Sequence, residues 1–245
     1  MNSWTISDKG IVRRINQDAY YTFCDDAKKL AILIVCDGMG GAAGGETASR
    51  LAVETASEYI REGLNEDSYT EEGLTGLLLG ASEKANRAVF SESLKRPSLK
   101  GMGTTLVAAL VTEELTAVLN IGDSRAYLIS DGAIKQITRD HSVVEDMIKR
   151  GELDRVSARV HPKKNLITRA VGTDINVNGD IFLPDVKEGD ILLLCTDGLS
   201  NQLEDSELKD DALSSEDLET CCESLLRKTL ARGAPDNITV TLFRK

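Results

Sequence analysis

Hydrophobic positions along this chain come in two patterns. Short unbroken apolar blocks occur at Leu30–Cys36, in TLVAALV from Thr105, in TAVLNIG from Thr116, at Ile191–Cys195 and at Ile238–Phe243. The first, rich in Ile and Val and closed by glycine, predicts a strand buried on both faces. Residues 46–64 instead carry apolar side chains at 48, 51, 52, 56, 59 and 60, a helical period with one buried stripe. Residues 70–94 predict a second long helix, with Thr70 as N-cap and Glu71 and Glu72 in its first turn. Gly73, Gly76 and Gly80 weaken that helix on propensity alone.

From Thr104 the links TEE, DS and DG separate four strand-like blocks, the later two being RAYLIS and AIKQIT. Links this short predict antiparallel hairpins, and Asp131-Gly132 is a favoured two-residue turn. Two short strands are predicted around Thr5-Ile6 and Tyr20–Phe23, joined by SDKGIVRRINQD. Residues 141–178 are polar, with a short helix near 143–150. A strand at Ile181–Leu183, a helix near 215–231 and the last strand complete the chain. Two helices, then a run of strands, then a late helix is an α+β order. It predicts antiparallel sheets covered by helices, not a doubly wound parallel sheet.

Composition narrows the function classes. One large domain over residues 1–245 is expected, with no linker or repeat. A net charge of −11 argues against nucleic acid as partner. No apolar run approaches the roughly 18 residues of a membrane span, and the N-terminus has no secretory pattern, so a cytoplasmic monomer is expected. Cys24, Cys36, Cys195, Cys221 and Cys222 are odd in number and lack a CxxC, which predicts reduced, mostly buried thiols. His141 and His161 are the only histidines, too few for a Cys/His zinc site.

The chemistry sits where apolar blocks end. Leu30–Cys36 delivers Asp37 into Gly38-Met39-Gly40-Gly41, Ile191–Cys195 delivers Asp197 before Gly198, and TAVLNIG ends on Asp123. Asp236 precedes the final strand. Carboxylates gathered at core strand ends repel unless a cation joins them, and an all-oxygen set points to Mg²⁺ or Mn²⁺.

Three other patterns fail on their chemistry. Gly40–Thr47 imitates a phosphate-binding loop but has Glu46 in place of the lysine. Gly38–Ala43 imitates a dinucleotide fingerprint without a parallel βαβ context. Cys221–Arg227 has the Cys-x5-Arg spacing of cysteine phosphatases, yet CCESLLR follows helical spacing with no glycine to shape an anion loop.

Taken together, SDKGIVRRINQD, VCDGMGG, GMGTTLVAALV, NIGDSRAYLI, TRDHS, CTDGLSNQL and GAPDNITV resemble the PP2C (PPM) family of metal-dependent protein phosphatases, its compact bacterial members above all. The motifs keep the family's order from Ser7 to Val240. The resemblance implies a central antiparallel β-sandwich flanked by helix pairs, a four-layer αββα arrangement with a flap at 141–178. It implies hydrolysis of phosphoserine and phosphothreonine in proteins, by direct attack of a water bridging two divalent ions. A cognate bacterial Ser/Thr kinase is the implied antagonist and partner.

Carried over by position, Asp37 is the carboxylate bridging two Mn²⁺ or Mg²⁺ ions, and the Gly38 carbonyl a ligand of one. Asp197 and Asp236 complete the other. By the same resemblance Asp18 would orient metal-bound waters, and Asp123 with Asp197 would be the pair for a third, weaker ion. Arg13 matches the phosphate-gripping arginine, whose planar fork fits two phosphoryl oxygens. Arg14 is expected on the opposite face of an extended segment. Asn237 would support the site by hydrogen bonding.

There are departures from the family pattern. Met39 stands where many members have a histidine that protonates the leaving alkoxide, and Gln17 where many have glutamate. His161 in the flap is a substitute acid by position, as is metal-bound water, whereas His141 is expected to make structural hydrogen bonds. Between Lys149 and Arg169, seven basic residues face two acids, an island that would draw a phosphorylated segment toward an acidic molecule. A non-catalytic regulatory module and a nucleotide-binding domain are the readings from other classes.

Overall fold

The apolar block at residues 30–36 forms the inner part of a strand, and its alternate side chains enter two different cores. In the computed structural model, which describes residues 1–245 apart from the side chains of Ala42, Ala43 and Glu66, Ala31, Leu33 and Val35 point between two sheets. Ile32, Ile34 and Cys36 point the other way, beneath helices. An antiparallel strand covered on both faces therefore reads as a continuous apolar run. Each large side chain so buried contributes about 1.5–3 kcal/mol.

The elements in order are β1 (Asn2–Asp8), β2 (Asp18–Asp25), β3 (Leu30–Met39), α1 (Gly41–Gly63), α2 (Glu71–Lys95), β4 (Gly103–Thr104), β5 (Leu106–Val111), β6 (Thr116–Ile121), β7 (Arg125–Ser130) and β8 (Ala133–Gln136). Then come α3 (Val143–Lys149), α4 (Arg155–Arg159), β9 (Asp180–Phe182), β10 (Ile191–Cys195), α5 (Asp197–Ser200), α6 (Asp205–Ser214), α7 (Leu218–Ala231) and β11 (Ile238–Arg244). One sheet runs β1-β11-β10-β7-β8. The other runs β2-β3-β5-β6-β9, with β4 added beside β3. All named pairings are antiparallel. α1 and α2 cover the second sheet, while α6 and α7 cover the first. This is the four-layer αββα sandwich that the resemblance implies.

Four expectations need correction. The DS link is not a hairpin: β6 and β7 belong to opposite sheets, and Gly122-Asp123-Ser124 carries the chain across the sandwich. Gly122 takes a left-handed φ of 106°, and a Cβ there would crowd Thr105, so only glycine fits this crossing. Second, the first long helix starts at Gly41, five residues before the expected start at 46. Its glycines serve close approach: a Cβ on Gly45 would meet the Gly38 carbonyl, and one on Gly44 would meet Met102. Third, α6 is absent from the sequence reading because it buries little besides Leu208 and Ala212 and is capped by a glutamate pair, the Glu204 N–H donating to Glu207. Fourth, β1 and β2 are longer than expected, since each is half-exposed and lacks an unbroken apolar block.

The second helix does follow its caps. Thr70 Oγ1 accepts the Gly73 N–H at 3.0 Å. Gly73 and Gly80 stand where side chains would strike the Ser68 backbone and the Tyr59 ring, so packing overrides their poor propensity. Cys221 and Cys222 are buried on α7. Burial raises the Cys221 thiol to about 11 and pushes Cys222 up further. Neither is a thiolate nucleophile. Among the described residues no helix is long and apolar enough to cross a membrane.

Candidate active site

Three core strands and the β6–β7 crossing end together at one edge of the sandwich. Asp37 closes the buried part of β3, Asp197 follows β10, Asp236 precedes β11, and Asp123 lies in the crossing. They line a single cleft of about 470 Å³, together with Arg13, Arg14, Gln17, Gly38, Met39 and Thr105. Asp18 is the direct cross-strand partner of Asp37. Like charges placed opposite one another are destabilising, so this pair alone calls for a proton or a cation.

The backbone beneath these groups is fixed by hydroxyls. The Asp37 N–H donates to Thr105 Oγ1 at 2.8 Å, and the Asp37 carbonyl accepts from Thr104 Oγ1 and the Thr105 N–H. Thr196 and Thr239 both donate to Asp18 Oδ2, at 2.9 and 2.7 Å, while Oδ1 is buried with no hydrogen-bond partner. Asn201 donates to Asp197 Oδ2. Asn237 accepts the Gln17 N–H and donates to the Lys9 and Ile15 carbonyls, fastening the loop that bears Arg13. Gly38 sits so close to the Gly45 and Gln17 carbonyls that no side chain fits there.

The carboxylates disturb one another's ionisation. Desolvation, then the charges of Asp197 and Asp236, lifts Asp18 to about 7 against the two threonine hydrogen bonds. Desolvation and Asp236 raise Asp197 to about 6. Asp37 and Asp123 are pushed well above the ordinary carboxylate range, by desolvation first and by neighbouring aspartates second. Such a set holds protons near neutrality unless a cation replaces them.

A model of the family described as protein phosphatase 2C matches residues 12–233. The chain belongs to the protein phosphatase 2C family. It is 34% identical over 239 residues to the serine/threonine phosphatase stp of Listeria innocua, covering 98% of this chain and 94% of that one. Among solved structures, it is similar to the serine/threonine phosphatase Stp1 from Staphylococcus aureus, with a TM-score of 0.91 and 33% identity, covering 99% of this chain and 94% of that one. It is similar also to the catalytic domain of the phosphatase PstP in complex with two manganese ions, with a TM-score of 0.85, 32% identity and coverage of 98% and 96%.

In this protein phosphatase 2C, the sequence-selected Arg13, Asp37, Gly38, Asp123, Asp197 and Asp236 line one cleft, with Asp18 against Asp37 and Asn237 among the supports. Arg13 is engaged there, Nη2 donating to Asp236 Oδ2 at 2.8 Å. Arg14 is not turned away: it borders the same cleft, because a turn at residues 10–12 and a bend at 14–15 interrupt any extended segment. His161 is not among the cleft-lining residues, and its Nδ1 accepts the Lys163 N–H. The basic island is also less free than its composition suggests. Arg150, Arg155, Arg159 and Arg169 pair with Glu152, Glu145, Glu204 and Asp180.

Sequence reasoning missed Thr104, Thr105, Thr196 and Thr239. Thr239 carries a signal, a threonine inside the otherwise apolar ITVTLF where a buried hydroxyl needs a partner, whereas Thr104, Thr105 and Thr196 only adjoin apolar blocks.

The donor set fits divalent metal. Convergent carboxylates, an orphaned buried Asp18 Oδ1 and carboxyls held above their usual range are all relieved by a hard cation. Among the described residues no three acidic, cysteine or histidine side chains close into a ready-made cage. A stability consequence follows. Asp18 and Asp197, raised to about 7 and about 6, bind more protons folded than unfolded between about pH 4 and 7, so folding weakens as pH rises through that window. In EDTA the melting temperature is expected to be lower at pH 7.5 than at pH 5.5. Added Mn²⁺ should raise it more at the higher pH. Thermal scans at both pH values check this, and a metal-free protein equally stable at both would contradict it.

Proposed function

We propose that this protein is a serine/threonine protein phosphatase whose two ions, Mn²⁺ or Mg²⁺, are held by Asp37, the Gly38 carbonyl, Asp197 and Asp236, with Asp123 and Asp197 offering a weaker third position. The observation that carries the reading is the convergence of four strand-end aspartates on one cleft in a chain of this family. When bound, the ions lower the pKa of water and shield the charge of a phosphate monoester.

The residues' own contributions are positional and electrostatic. Thr104 and Thr105 hold the Asp37 backbone on both its N–H and its carbonyl, so the carboxylate enters the cleft from a fixed strand. Thr196 and Thr239 tie up one Asp18 oxygen and leave the other buried without a partner beside Asp37. Arg13 stands at the cleft rim on a half-exposed ion pair with Asp236, a weak contact that a dianionic phosphate can displace. No cysteine or histidine lines the cleft among the described residues, so a covalent phosphoenzyme on such a residue has no support.

Phosphorylated proteins are the substrates, a cognate Ser/Thr kinase among them, and the relatives named serine/threonine phosphatases support that class. Five free cysteines suit a cytoplasmic setting. The test is turnover of p-nitrophenyl phosphate and a phosphothreonine peptide with Mn²⁺, with Mg²⁺ and with EDTA. Hydrolysis is expected with either metal and none with EDTA. Full activity in chelator would overturn the metal reading, and nucleotide binding without turnover would favour a binding module.

A further inference from the structure

His141 is buried at the root of the segment 141–178, and every polar atom it has is engaged. Its N–H donates to the Gly122 carbonyl at 2.8 Å, and its Nδ1 accepts the Gly122 N–H at 3.2 Å. Gly122 is thus gripped on both sides by one residue, directly before Asp123. The His141 carbonyl accepts the Thr168 N–H, at the far side of the same segment. With Nδ1 accepting, the ring proton lies on Nε2, which faces Asp180 Oδ2 on β9 at 3.2 Å. Arg169 Nη1 donates to Asp180 Oδ1 at 2.8 Å and to the Asn178 carbonyl at 3.3 Å, and lies 3.2 Å from His141 Nε2, so the ring is tied to the end of the segment through the Asp180–Arg169 pair. Asn120 adds a further bond to the Gly122 carbonyl.

The geometry points to His141 as a positioning residue that holds the Asp123 loop through one ring nitrogen and, through the other, the Asp180–Arg169 pair that anchors the flap segment to β9. Loosening either side would leave the other in place. The inference rests on the reading of Asp123 as a metal ligand for its metal-binding consequence only.

Two substitutions separate the nitrogens. Asn places an oxygen where Nδ1 stands and cannot reach Asp180, whereas Gln places an amide near Nε2 and leaves the Gly122 N–H without its acceptor. In His141→Asn the Gly122 amide should keep its slow hydrogen exchange, while amides across 143–168 exchange faster and KM for a phosphothreonine peptide rises. In His141→Gln the Gly122 amide should exchange roughly two- to tenfold faster, the range of one hydrogen bond. The weakest Mn²⁺ affinity by calorimetry should fall about tenfold or more, as for other outer-shell supports. Asp180→Ala, at a half-exposed carboxylate, should reproduce the Asn pattern and covers the case in which neither histidine variant folds. The same changes in both histidine variants, or protected flap amides in Asp180→Ala, would overturn the inference. Asp123→Asn with unchanged Mn²⁺ binding would instead sink the ligand reading, and amide exchange would still judge His141.

Discussion

Asp37→Ala is expected to abolish turnover while leaving a folded protein. The strand end is held by its backbone, through Thr104 and Thr105, so losing the carboxylate removes charge without removing the hydrogen bonds that shape β3. A loss of about a thousandfold or more in kcat is expected, at least that of deleting a single electrostatic contact to a transition state. Asp197→Ala should behave alike. The metal-free stability of Asp37→Ala should rise near neutral pH, because one of several mutually repelling carboxylates is gone. Its stabilisation by Mn²⁺ should shrink for the same reason. Mn²⁺ calorimetry and melting curves on each variant decide the point. Unchanged Mn²⁺ affinity would contradict the ligand assignment.

Arg13→Ala is expected to lower kcat/KM for a phosphopeptide by about tenfold or more, the roughly 1.5–3 kcal/mol of a charge-assisted fork on phosphate. Its pairing with Asp236 refines the expectation for metal. Both side chains are partly exposed, so the pair is worth only about 0.2–1 kcal/mol, and its loss should leave Mn²⁺ affinity equal or slightly tighter. Arg13→Lys should recover part of the loss, because an ammonium lacks the planar fork. Arg14 shares the cleft but has no ion pair among the described residues, so Arg14→Ala should cost less, within about fivefold. Kinetics on one phosphopeptide for the three variants, with Mn²⁺ titrations beside them, give the answer. A crippled Arg14→Ala beside a mild Arg13→Ala would move the phosphate contact to the neighbouring residue.

Local periodicity was enough for much of this molecule. A both-faced apolar block at residues 30–36, a helical stripe at 46–64 and a cap at Thr70 each report burial or backbone geometry within a few residues. Aspartates at the ends of such blocks are legible for the same reason: a carboxylate next to a core strand has no cheap place to be. Those two facts, with the order of the elements, make the α+β class legible and single out Asp37, Asp123, Asp197 and Asp236 as candidates, whereas Asp18, Gly38 and Arg13 are singled out by the family resemblance.

Tertiary structure decided what depends on residues distant in sequence. Only packing sends β7 to the sheet opposite β6, since a three-residue link suits a hairpin and a crossing equally well. Only the approach of Gly38 and Met102 lets a glycine-rich segment begin α1, where propensity alone forbids it. Asp140 and Asp180, Glu145 and Glu204 neutralise arginines that composition counts as free charge, because ion pairing is a matter of distance and not of order. The threonines that seat Asp18 and Asp37 come from strands brought together by the sandwich. Their hydroxyls acquire a role only when folding removes water and leaves a carboxylate as the nearest partner.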